Sequence, residues 1–188
     1  MAHHIFFLSL ILTTLATMQG CHAVDYTVTN TAGTTTGGAR FDSQIGADYS
    51  MQTLASATDF IWRIFQQNNA ADRKSVEKAC LSTIWTGGYS GDVKGEITGV
   101  LYHEMTHIWQ WNGNGQTPGG LIEGIGNKWD QGYDVTARFL DYLNSLRNGF
   151  VAELNMKMRS GYNESYFVDL LGKTVDQLWS EYKAKYGK

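Results

Sequence analysis

The sequence predicts an α+β fold in which a small strand-forming part comes first and helices make up most of the remainder. Three observations carry this expectation. Tyr26-Thr27-Val28-Thr29 is rich in strand formers. Ala79 to Trp85 is a short, mostly apolar piece between a charged stretch and Gly87-Gly88, which suits one more strand. Elsewhere apolar residues recur at the three- and four-residue spacing of amphipathic helices.

The elements follow in chain order. Ile5 to Leu12 is an apolar run too short to span a bilayer, and small residues precede Val24, so residues 1–23 read as a signal peptide cut after Ala23. Residues 24–188 then form a single domain, which 43% hydrophobic and 18% charged residues can supply with one core. After the first strand, the Thr- and Gly-rich run from Asn30 to Gly38 reads as a loop. From Ser50 to Gln67, Leu54, Ala57, Ile61, Ile64 and Phe65 mark a helix with a packing face. Asp92 to Trp111 carries Ile97, Val100, Leu101 and Ile108 in a helical pattern, stopped by Asn112-Gly113-Asn114-Gly115. In the last third, Val135, Phe139, Leu140 and Leu146 mark one helix, and Val151, Leu154 and Met158 another beyond Gly149. Thr174 and Gln177 have capping-box spacing ahead of a final helix bearing Leu178, Trp179 and Tyr182.

Composition narrows the function. A net charge of -3 with scattered Lys and Arg gives no electrostatic footprint for nucleic acid. With the signal removed the chain belongs to no membrane, and it keeps only His103, His107 and Cys80 of the residues that favour transition metals most. A single cysteine makes no internal disulfide, so Cys80 is a leftover thiol. Asn163-Glu164-Ser165 is a glycosylation acceptor pattern, expected on a surface loop.

The chemistry-bearing stretch is His103-Glu104-Met105-Thr106-His107. Residues four apart on a helix share a face, so the two imidazoles can be directed at one ion, with Glu104 beside it. A site of this kind uses zinc to acidify a water, while the glutamate takes a proton from that water and passes it to the leaving amine. A catalytic zinc takes a third protein ligand, here expected to be a carboxylate. Glu123 is the best placed, because it follows a Pro-Gly-Gly turn that could reverse the chain; Asp130 and Asp134 are alternatives. Tyr133 is the nearest candidate to stabilise an oxyanion through its phenol, with simple packing as the competing role.

These residues resemble a known family, the plant basic secretory proteins, which are related to pathogenesis-induced secreted proteins and similar to gluzincin-type zinc peptidases. The resemblance runs through "VDYTVTNTAGTTTGGARF", "FIWRIFQQNN", "GYSGDVKGEITGVLYHEMTHIWQWNGNG", "PGGLIEGI", "WDQGYDVTARFLDYLNSLRNGFVAELN" and "VDLLGKTVDQLWSEYKAKYG". It implies a zincin-like fold with a small mixed N-terminal sheet, an active-site helix and a helical C-terminal part. It also implies secretion to the apoplast or cell wall, a link to plant defence, and peptide or protein substrates. The implied site is a zinc ion on His103, His107 and Glu123 with Glu104 as the base. Two segments are shorter than the family's pattern, one between Lys74 and Gly88 and one after Ile125, and Asn127 stands where the family has an aspartate. Two function classes follow: a secreted zinc peptidase, and a secreted defence protein that keeps the motif but binds glycans or proteins without cutting.

Overall fold

The structure, a computed structural model, describes residues 24–83, 91–123 and 133–187, with side chains for all of these except 83 and 133–135. The expected signal segment 1–23 and residues Ile84 and Trp85 of the expected second strand lie outside the described residues.

Two strands, β1 (Asp25–Asn30) and β2 (Lys78–Thr83), pair in parallel with Thr27 opposite Cys80. Parallel neighbours require a crossover. Here it is made by α1 (Thr36–Gln44) and α2 (Ala47–Ile64). Then come α3 (Val93–Trp109), the short α4 (Gly119–Glu123), α5 (Tyr133–Leu146), α6 (Phe150–Lys157), α7 (Ser165–Leu171) and α8 (Val175–Tyr186). The architecture is therefore α+β and mostly helical. The described sheet is purely parallel, where a mixed sheet was expected.

Part of the expected loop from Asn30 to Gly38 is helical, because Thr35 caps α1 by accepting a hydrogen bond from the Gly38 amide at 3.0 Å. Gly38 also lies against the backbone of Ala32, where a Cβ would overlap the carbonyl. A glycine disfavoured by helix propensity is thus required by a close approach. The final helix starts as expected, with the Thr174–Gln177 capping box formed in both directions. Between α6 and α8, α7 is an additional helix that begins at Ser165, and the Asn163 acceptor stands exposed in the loop just before it.

The core has two main parts. One packs the sheet, α2 and α3 through Leu54, Ala57, Ile61, Leu101, Met105 and Trp109. The other unites α4 to α8 through Leu121, Phe139, Leu143, Phe150, Phe167 and Leu178. Thr58, almost fully buried, fastens the first part: its Oγ1 accepts from the Tyr26 hydroxyl at 2.7 Å and from Trp109 Nε1 at 3.3 Å. One hydroxyl therefore joins β1, α2 and α3. Burial of large side chains at about 25 cal/mol per Å² drives this assembly, and the buried polar atoms must be paired to keep that gain. No described helix is long and apolar enough to cross a membrane.

Candidate metal centre

The centre is built on α3. Asp92 caps its start, accepting from the Gly95 amide at 3.0 Å; a Cβ at Gly95 would come within 2.5 Å of the Asp92 carboxylate, which would have to shift. Leu101, Met105 and Trp109 turn one face of the helix into the core. The opposite face presents His103, Glu104 and His107 toward solvent, as the helical period requires. At the C-terminal end, the Lys74 ammonium approaches the His107 carbonyl at 3.4 Å and sits over the Trp111 ring. A cation near the carbonyl end of a helix is favourable. Burial lowers the pKa of Lys74 below its ordinary value of 10.5.

The chain then reverses. Gly113 and Asn114 adopt positive φ angles of 61° and 55°, and the Gly113 amide is anchored to the Met158 carbonyl at 2.8 Å. Pro118 precedes α4 and its carbonyl accepts from the Leu121 amide at 2.9 Å. Leu121 is buried in the C-terminal core, so the helix that carries Glu123 is held from below by apolar packing.

This path brings three ligand-type atoms together. His103 Nε2 and His107 Nε2 are 3.0 Å apart, and Glu123 Oε2 lies 3.5 Å from the first and 3.2 Å from the second. Among the described residues they form the one His/Cys/Asp/Glu group able to hold a metal ion. The residues fit zinc. Ligand bonds of about 2.0 to 2.1 Å in a tetrahedron put neighbouring donor atoms about 3.3 to 3.4 Å apart. The triangle's edges of 3.0, 3.2 and 3.5 Å lie on either side of that length, and its two imidazole nitrogens and one carboxylate oxygen are a donor set of catalytic zinc sites. All three side chains are partly exposed, at 29%, 23% and 42%, which leaves solvent access on one side. His107 Nδ1 is buried without a hydrogen-bond partner among the described residues. That nitrogen is where a metal-bound imidazole ordinarily meets an orienting group.

Glu104 does not join the triangle. It is exposed and lines a groove of about 430 Å³ with His103, Val100, Gly99, Glu96 and Gly95. His103 and His107 share one side of α3, and Glu104 lies beside them on the groove. Of the alternatives for the third ligand, Asp130 and Asn127 lie outside the described residues. The side chains of Tyr133 and Asp134 lie outside them too, although both residues belong to α5. Sequence reasoning passed over Lys74 and the groove. The signal for the groove was Gly99 inside a helix, a local conflict with propensity that no close contact explains.

Comparison with known proteins identifies the family. A family model described as a peptidase of plants and bacteria matches residues 21–83, 77–127 and 125–182. A basic secretory protease from Boswellia serrata is 60% identical over 60 residues, which cover 32% of this chain and 69% of that protein. No solved structure matches. With the family match extending over most of the chain and taking in His103, Glu104, His107 and Glu123, the chain belongs to this family of plant and bacterial peptidases.

Proposed function

We propose that this chain is a secreted, zinc-dependent peptidase of zincin-like fold that hydrolyses peptide bonds in protein substrates. The observation that carries the reading is the triangle of His103 Nε2, His107 Nε2 and Glu123 Oε2, with edges of 3.0, 3.2 and 3.5 Å. Those three residues would hold the metal. Zinc bound there supplies Lewis acidity, drawing the pKa of a water toward neutrality and polarising the scissile carbonyl.

The chain's own residues do the rest. Glu104, next to His103 and facing the groove, takes a proton from the attacking water and hands it to the departing amine nitrogen. The bond formed is carbon to oxygen and the bond broken is carbon to nitrogen, so the transferred proton leaves with the amine. Tyr133, at the first position of α5, is assigned as hydrogen-bond donor to the oxyanion. α3 and the buried Leu121 fix the ligands in position before substrate arrives, which keeps reorganisation small at the moment of reaction.

Residues 1–23 are assigned as the export signal, and the extracellular space of a plant, in a defence setting, as the place of action. The likeness to the Boswellia relative, a basic secretory protease, supports export. The reading is tested by metal analysis of the purified chain together with cleavage of unfolded casein. Zinc bound with casein cut supports it, whereas zinc bound with no cutting above the Glu104→Gln background refutes the peptidase.

A further inference from the structure

The groove beside the metal centre runs back along α3 from His103 and Glu104, past Gly99 and Val100, to Gly95 and Glu96. Its floor is open at Gly99, whereas at Gly95 the Asp92 carboxylate takes the place of a side chain. A Cβ added at Gly99 would meet no atom within 4 Å, so the fold does not need glycine there. The absence of a side chain serves the groove instead. Val100, 44% exposed, provides an apolar wall.

At the far end stands Glu96. It is exposed and no described cation pairs with it; the neighbouring Lys94 turns its ammonium over the Tyr49 ring at 4.1 Å. Position in the first turn of a helix accounts for an acidic residue, since it complements the helix dipole. That role does not account for the empty space beside it. Glu96 and Glu104 lie eight residues apart on one helix, about 12 Å along the axis. That span is longer than a lysine or arginine side chain alone; it is covered when the offset of the substrate backbone from the metal centre and the length of the Glu96 side chain are added, with the methylenes on Val100.

We propose that this groove receives the side chain flanking the scissile bond, and that Glu96 selects a lysine or arginine there. The inference rests on the peptidase reading and names its substrate class. A long basic side chain matches each feature in turn: methylenes against Val100, a cation at the Glu96 carboxylate, and passage over Gly99.

Two measurements test it on the full secreted chain. The first is the cleavage-site profile from a mixed peptide library. Lysine and arginine should be enriched at one position next to the cut, and Glu96→Lys should replace them with aspartate and glutamate. Glu96→Gln should lower kcat/KM for a lysine peptide by about two- to fivefold, the scale of one exposed ion pair, and Glu96→Lys by about tenfold or more. Gly99→Leu should fill the groove, lowering kcat/KM at least about tenfold with Tm unchanged or raised, since its Cβ meets open space and leucine favours the helix.

The second measurement is binding of the same lysine peptide to the zinc-free chain, read by calorimetry. Its Kd should rise in Glu96→Lys by a similar factor, which loss of a helix-dipole contact alone would not produce. Cleavage with no preference at any position, or a profile unchanged in Glu96→Lys, overturns this inference and leaves the peptidase intact. A zinc-loaded chain that cuts no peptide overturns the peptidase reading and this inference with it.

Discussion

Glu123 Oε2 lies 3.2 Å from His107 Nε2, although a positive-φ turn and the only proline of the chain separate the helices that carry them. Two helices that otherwise belong to different parts of the core thus meet at one point. An ion placed there would tie α3 to α4, and through Leu121 to the whole C-terminal core.

Metal removal should therefore cost stability. A ligand that binds only the folded state contributes about 4 kcal/mol when its free concentration is 1,000 times Kd. Chelation should lower the Tm of the unmodified chain by several degrees and leave that of His107→Ala unchanged. Calorimetric scans with and without chelator check this.

Catalysis and binding should separate at Glu104. The side chain faces the groove and not the ligand triangle, so Glu104→Gln should retain zinc while peptide hydrolysis falls by about 10² to 10⁴-fold. Parallel metal analysis and single-turnover cleavage of one peptide decide it; loss of zinc in this variant would contradict the assignment.

Leu121 should matter to the metal without touching it. It is 4% exposed and sits two residues before Glu123. Leu121→Ala should destabilise the chain by about 2 to 5 kcal/mol, as large-to-small core changes do, and weaken zinc binding as α4 loses its anchor. Denaturant unfolding and competition with a zinc indicator measure the two effects separately.

Thr58 offers a test of the other core. Thr58→Val keeps the volume but leaves the Tyr26 hydroxyl and Trp109 Nε1 without their acceptor, an expected cost of about 1 to 3 kcal/mol. Burial of Tyr26 predicts a pH dependence. Desolvation raises the pKa of Tyr26 above 10.0, so above pH 10 the unfolded chain loses this proton while the folded chain keeps it. The folded state binds more protons in that window, and this contribution to stability is present below pH 10 and declines as pH climbs through the folded pKa. Tyr26→Phe should abolish that part of the alkaline decline, as read from urea midpoints between pH 9 and 11.

The long periodic helices and the ligand pair were legible because period and chemistry coincide. Leu101, Met105 and Trp109 had to face one way, which left His103 and His107 the other. Glu123 was legible more weakly, through the turn residues before it, since nothing in a spacing of 16 or 20 residues fixes a distance. Two features were hidden. α1 was obscured because Gly37-Gly38 argues against a helix, and only the tertiary approach to Ala32 explains the glycine. The groove was hidden because it is a space, and a glycine such as Gly99 reveals a space only when its surroundings are known.

The central claim is that His103, His107 and Glu123 form one zinc site. Zinc content per chain, measured on the purified protein and on the His107→Ala and Glu123→Gln variants prepared alongside, tests it most directly. One zinc per unmodified chain, lost in His107→Ala and weakened in Glu123→Gln, is the predicted result. An unmodified chain that binds no zinc, or variants that retain it at full stoichiometry and affinity, would contradict the account.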